Sequence, residues 1–230
     1  MRLLAIETST EWCSVAVGDG AHWHLCDEHA GQAHSERLLP MVDAALAEVG
    51  WALRDLDGLA FGAGPGSFTG IRIGCGVTQG LALGADLPVV PVPTLAALAQ
   101  DAFRARGWTR VLACLDARMR EVYVASYARA GGLWREVAAP SVVPPAEVPD
   151  PRLDGEGVWF GAGNGFAAYP ALGAGMSGLA GFDPSLRVTA RAIAELALAD
   201  HGVLGDADQA FPHYVRDKVA MTAAERAGAR

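Results

Sequence analysis

Apolar and polar positions change period several times along the chain, and the changes mark out its elements. Leu3-Leu4-Ala5-Ile6 is a continuous apolar run of strand length, and Cys13–Val17 is a second. Between them Glu7–Trp12 is polar and rich in hydroxyls, and Gly18-Asp19-Gly20 turns the chain into His22–Cys26. This pattern predicts a three-stranded antiparallel meander. A helical period follows Ser35, which is placed to cap a helix to about Val49 with Glu36 in its first turn. Its apolar residues Leu38, Leu39, Met41, Val42, Ala45, Leu46 and Val49 cover an arc of roughly 160°, wider than one core face needs. Pro40 lies beyond the first turn and predicts a bend, and Gly50 ends the helix.

The stretch Leu59–Gly84 organises the rest. Leu59–Phe61 reads as a buried strand, followed by the loop Gly62-Ala63-Gly64-Pro65-Gly66. Ser67 or Thr69 can cap the next helix, roughly Thr69 to Leu83. Gly70, Gly74, Gly76 and Gly80 lie inside it, although each interior glycine costs up to ~1 kcal/mol relative to Ala. After the cap only Arg72, Thr78 and Gln79 are clearly polar. A helix this apolar is covered on several sides, and the Gly76-xxx-Gly80-xxx-Gly84 spacing admits a close neighbour. A Gly-rich strand–helix turn can also cradle phosphate. The P-loop pattern, however, needs a lysine at the helix start, and the single lysine is Lys218. Tight packing is the better reading.

Pro88–Val92 forms a further strand, and Pro93-Thr94 opens a helix through Leu95–Ala105. Arg106-Gly107-Trp108-Thr109 then reads as a boundary between two halves, 1–106 and 107–230. The opening pattern recurs beyond it: strand Val111–Leu115, charged turn Asp116–Arg120, strand Glu121–Tyr127. Pro140–Pro151 is expected to be an exposed connection. Val158–Phe160 is a strand leading into Gly161–Gly165, whose spacing misses GxGxxG. Thr189 is placed to cap an amphipathic helix to about His201. Phe211–Arg230 carries turn and basic residues, with the last dozen expected to be mobile.

Composition narrows the function classes. At 230 residues, 51% hydrophobic and 19% charged, the chain suits a soluble globular protein with a substantial core. A formal net charge of −8 argues against gripping nucleic acid unaided. No apolar run reaches membrane-span length, and Met1-Arg2 leads into strand residues rather than a signal peptide. Cys13, Cys26, Cys75 and Cys114 have neither CxxC nor zinc spacing, which suits a reducing compartment and a cytoplasmic location. His22 and His24 alternate on one strand without a carboxylate or thiol placed to complete a metal site, and His29 and His34 lack ligand spacing. Glu7–Thr10 reads either as a hydrogen-bonded turn or as a phosphate-binding hairpin.

Two halves that each open with strand–polar turn–strand suggest the duplicated α/β fold of actin, sugar kinases and Hsp70. Particular residues sharpen this: Leu4–Thr10 (LAIETST), Gly64–Gly74 (GPGSFTGIRIG), Asp116–Tyr123 (DARMREVY) and Tyr214-Val215-Arg216 closely resemble the bacterial TsaB family. That resemblance covers nearly the whole chain. It implies an actin-like, ribonuclease H-like α/β fold in two halves, each a mixed sheet with flanking helices. The implied role is that of a non-catalytic partner in placing threonylcarbamoyl on adenosine 37 of tRNA. The catalytic paralogue, TsaD, forms a heterodimer with it, the ATPase TsaE joins them, and tRNA is met only through the complex. The paralogue carries a His-x-x-x-His metal motif after the strand that follows its Gly-rich helix; here Thr94 and Leu98 fall at those positions. The resemblance therefore implies no metal, no cofactor and no catalytic residue in this chain.

In the family the helices after Ser35 and Thr69 pair with their counterparts in a four-helix bundle, and the same surface supports homodimers when the partner is absent. This implies a partner interface at Leu39, Met41, Leu46, Arg72, Ile73, Gly76, Gly80 and Leu83. The competing enzyme reading is an ATP-binding phosphotransferase of the same fold, with Glu7, Thr8 and Asp116 at phosphate and magnesium. A metalloprotease reading has no HExxH or other ligand constellation to support it.

Overall fold

The structure, a computed structural model, describes residues 1–154, 157–199, 205–207 and 210–216. Ten strands and six helices alternate along it. The first half runs β1 (Leu3–Glu7), β2 (Trp12–Gly18), β3 (Trp23–His29), α1 (His34–Val49), β4 (Gly58–Gly64), α2 (Phe68–Ala85), β5 (Val89–Pro93) and α3 (Thr94–Arg106). The second runs β6 (Arg110–Asp116), β7 (Val122–Ala130), β8 (Leu133–Val143), β9 (Trp159–Ala162), α4 (Gly165–Ala168), α5 (Pro170–Gly175), β10 (Leu179–Asp183) and α6 (Ala190–Ala199).

The strands form two five-stranded sheets, ordered β3-β2-β1-β4-β5 and β10-β9-β6-β7-β8. Read from the other end, the second order repeats the first, strand for strand. In each sheet a three-strand antiparallel meander is extended by two parallel strands. This twice-used topology is the duplicated ribonuclease H-like architecture of actin-like proteins.

Alternation along β1 shows how the layers stack. Leu4 and Ile6 face Leu38, Met41 and Val42 of α1 and Cys75 and Ala82 of α2. Leu3 and Ala5 face the opposite way, into a core shared with α3, α6 and the inner residues of the second sheet. The order is thus α1 and α2, first sheet, α3 and α6, second sheet, then α4 and α5. Both faces of β1 and β4 are covered, which is why these strands are apolar throughout rather than alternating. The buried face of the middle layer is largely alanine, including Ala96, Ala97, Ala99, Ala190, Ala194 and Ala197. Small side chains let two helices fit between two sheets.

Several expectations need correction. α1 begins at His34 with Ala33 at its N-cap and no side-chain cap bond, so Ser35 lies inside the helix. As expected, Pro40 lies inside the helix, which runs to Val49 and ends at Gly50. The Pro140–Pro151 segment is not all connection, because β8 carries through Pro140 to Val143. β8 is an edge strand, where a proline removes no ladder bond on its open side. β10, α4 and α5 lie where no regular element was expected. Thr189 does cap α6, accepting from the Ala192 amide at 3.3 Å. The expected end of that helix at His201 and the last dozen residues of the tail lie outside the described residues.

Candidate functional site

α2 has two glycine faces with opposite fates. On the inner face, a Cβ added to Gly70 would stand 2.0 Å from the Thr8 carbonyl oxygen, and one on Gly74 would stand 2.5 Å from Thr8 Oγ1. No side chain fits there, so the start of α2 lies directly on the turn after β1. Thr8 Oγ1 donates to the Gly70 carbonyl at 2.8 Å, the Ser67 amide donates to the Ser9 carbonyl at 2.7 Å, and Ser67 Oγ caps the helix. On the outer face, Cβ atoms on Gly76, Gly80 or Gly84 would meet nothing within 4 Å among the described residues. Leu83 is 69% exposed beside them, and Leu39 on the adjacent α1 is 47% exposed.

The residues assigned to a partner interface therefore separate. Leu39, Arg72, Gly76, Gly80 and Leu83 are exposed and Ile73 is half-buried. Met41 and Leu46 are buried in the chain's own core beneath α1. Arg72 is also engaged internally: its guanidinium lies 3.7 Å from the Phe68 ring centroid, and its Nε donates to the Tyr214 hydroxyl at 2.8 Å. Tyr214 belongs to a strap, residues 210–216, laid along α2. Cys75 Sγ and Gln79 Nε2 donate to the Ala210 carbonyl at 3.2 and 2.9 Å, and the His213 amide donates to the Ala63 carbonyl at 2.6 Å. Arg216 then pairs with Glu121 at the start of β7. These contacts join residues 95 to 150 positions apart, and nothing local in the sequence announces them.

Glu7 and Thr8 do not form an open hairpin. Both are buried, one Glu7 oxygen accepts from the Ser9 amide, and Oε2 has no partner and is pressed against Gly62. Burial without a cation pushes the Glu7 carboxyl up to about 7. A cleft of about 430 Å³ does open between the halves, and Thr10, Glu11, Asp116, Arg118, Asn164 and Arg216 are among its lining residues. Asp116 thus reaches it, whereas Glu7 and Thr8 do not. The Asp116 carboxylate is taken by the Arg118 amide at 2.9 Å and the Arg118 guanidinium at 3.0 Å. Arg118, Met119 and Arg120 hold this turn with φ values of 59°, 53° and 63°, a left-handed run that side chains disfavour.

The positions of interest after β5 are filled by packing. Thr94 Oγ1 accepts from the Gly64 amide at 3.1 Å, and Leu98 is a fully buried core residue. Among the described residues no group of three or more His, Cys, Asp or Glu is placed to hold a metal ion. No helix among them is long and apolar enough to cross a membrane.

Comparison with known proteins adds independent observations. A family model described as TsaD, tRNA N6-adenosine threonylcarbamoyltransferase, matches residues 26–161. The tRNA threonylcarbamoyladenosine biosynthesis protein TsaB of Escherichia coli is 49% identical over 178 residues, 75% of each chain. The protein of the same name from Haemophilus influenzae is 44% identical over 180 residues, 74% of each. Among solved structures, YeaZ from Pseudomonas aeruginosa superposes with a TM-score of 0.84 at 40% identity, covering 93% of this chain and 99% of that one.

Proposed function

The chain belongs to the TsaB family of tRNA threonylcarbamoyladenosine biosynthesis proteins, and from that premise we propose that it is a non-catalytic subunit which supports a catalytic TsaD paralogue. It docks through the outer face of α2 and the adjoining edge of α1, and TsaE and tRNA join the assembly so formed in the cytoplasm. The observation that carries this reading is the open glycine stripe. Interior glycines weaken a helix, and Gly76, Gly80 and Gly84 have no neighbour among the described residues to justify that cost. A helix from another chain packed at close range supplies the reason, and Leu83 and Leu39 supply apolar area beside it. The filling of positions 94 and 98 by Thr and Leu supports a role without metal chemistry, since neither side chain ligates as imidazole does.

The phosphotransferase reading has the inter-half cleft and Asp116 in its favour. Against it, Thr8 is sealed beneath α2 and Glu7 is buried against Gly62 of β4. Titration of ATP into the isolated chain separates the two: a tight site lost on Asp116→Ala would favour the enzyme.

Gly80→Leu tests the docking face. The expected result is an unchanged circular dichroism spectrum, weaker self-association by sedimentation, weaker co-purification with TsaD, and lost threonylcarbamoyl transfer in the reconstituted system. A folded variant with unchanged association and transfer would move the interface elsewhere.

A further inference from the structure

The open positions of α2 form a ladder that begins at an unpaired charge. Phe68, Arg72, Gly76, Gly80 and Gly84 recur every four residues, so they follow one ridge of the helix. The Arg72 guanidinium lies 3.7 Å from the Phe68 ring centroid and 5.6 Å from that of Tyr214, with Nε bonded to the Tyr214 hydroxyl at 2.8 Å. Among the described residues its two terminal nitrogens have no hydrogen bond, and it forms no ion pair. The first turn of α2 carries no acidic residue to neutralise it.

Asp86 closes the other end. It is the C-cap of α2, exposed, with φ 54° and ψ 49°, a left-handed conformation that helix ends usually give to glycine. Its amide donates to the Ala82 carbonyl, and its carboxylate has no partner among the described residues. Arg72 and Asp86 stand fourteen positions apart, about 21 Å along the helix. Between them lie the open glycines and Leu83, which is 69% exposed. Two unpaired charges of opposite sign thus bracket a smooth strip, and such a strip complements a copy of itself turned end for end. The register that sets Arg72 of one copy against Asp86 of the other also lays each Leu83 beside the Gly76 opposite, a side chain over the gap that a missing one leaves.

We propose that the chain pairs with a second copy of itself through two reciprocal Arg72–Asp86 ion pairs, the α2 helices running antiparallel and crossing between Gly76 and Gly80. This rests on reading the outer face of α2 as a docking face, and it adds what decides direction and register there. A parallel pairing would oppose Arg72 to Arg72 and Asp86 to Asp86. Exposed ion pairs contribute little energy singly, so these charges select the arrangement more than they strengthen it. The aromatic stand of Phe68 and Tyr214 holds the guanidinium in place beforehand, which lowers the ordering that pairing requires.

The test is sedimentation equilibrium of the full chain alone, at low and high NaCl, with circular dichroism on every variant. Arg72→Glu and Asp86→Lys should each weaken self-association by about tenfold. The double variant Arg72→Glu/Asp86→Lys should regain it. An equimolar mixture of the two single variants should regain it too, since a mixed dimer brings opposite charges together at both ends. Asp86→Asn, which tolerates positive φ, removes the charge without backbone strain and should weaken association to a lesser degree. Asp43→Asn, which neutralises an exposed carboxylate of α1, should leave association unchanged. Raised salt should weaken the parent more than Arg72→Gln. A parent that stays monomeric at every concentration, or failure of both the mixture and the double variant to recover, would overturn the pairing. Gly80→Leu separates it from the reading beneath it. Association lost in Gly80→Leu but indifferent to the charge variants would overturn the pairing alone and leave the stripe to the paralogue. Association indifferent to Gly80→Leu would overturn the docking face, and the pairing with it.

Discussion

Glu7 is a carboxyl group that the fold holds at a cost. Its pKa is raised from 4.5 to about 7 because burial removes water from the charged form and the Ser9 bonds only partly compensate. The native state therefore binds the proton more tightly than the unfolded chain does. Stability is greatest below the unfolded value and is lost as pH rises through about 7. Asp101, raised to about 7 chiefly by burial, acts in the same direction. In Glu7→Gln the Glu7 share of this loss, at most about 3 kcal/mol, should disappear. Urea melts at pH 5, 6, 7 and 8 check it, and a slope equal to that of the parent would contradict the assignment. Glycines of α2 give a second comparison. Gly74→Ala forces a methyl group to 2.5 Å from Thr8 Oγ1, where overpacking costs about 1–3 kcal/mol. Gly80→Ala meets open space and gains most of ~1 kcal/mol of helix propensity. Denaturation midpoints of the two variants should move in opposite directions.

Among the elements, α3 and α6 are joined by a small buried polar cluster. Thr189 caps α6, while its amide and hydroxyl donate to Asp101 of α3 at 2.9 Å each, and Arg104 pairs with the same carboxylate at 2.6 Å. Thr189→Ala removes the cap and one donor to a buried carboxylate, so a loss of about 1–3 kcal/mol is expected. Thr189→Ser, which keeps the hydroxyl, should restore most of it. Equal melting temperatures for the two variants would show that the methyl group, not the hydroxyl, matters. β5 shows a different device. Val89 exchanges bonds with Gly205 on the outer side of this edge strand, and Pro91 and Pro93, two and four residues on, have no amide to offer there. An edge without donors is a poor template for another strand.

The two halves repeat one topology, yet each leans on the other. The inner face of the first sheet is covered by α6, which the chain contributes nearly a hundred residues after β5. Residues 1–106 expressed alone would leave Leu3, Ala5, Ala60 and Val92 facing water. The expected outcome is a chain without native dispersion in its amide NMR spectrum, and no cooperative melt. A well-dispersed spectrum from that fragment would show that the first half folds without α6.

Much of this architecture was legible in the order of residues. β1 and β4 are nearly unbroken apolar runs because both their faces are covered, and such runs declare themselves without reference to the rest of the chain. The helices α2 and α6 follow from their caps, Ser67 and Thr189, and the periods behind them. β8 and β10 escaped because edge strands with partly exposed faces carry weak alternation, and Pro140 reads locally as a loop. Some features had no local signal at all. Gly70 and Gly74 lie four apart, as do Gly76, Gly80 and Gly84, and the spacing alone does not say which set is covered. Glu7 looks like a turn carboxylate until the fold buries it against Gly62 of β4. Arg72 meets Tyr214 across 142 positions and Arg216 meets Glu121 across 95. Periodicity reports how an element divides its own surface between two environments. Which element then fills each side is a long-range outcome of packing, and the open glycine face of α2, the sealed carboxylate and the strap along α2 all depend on it.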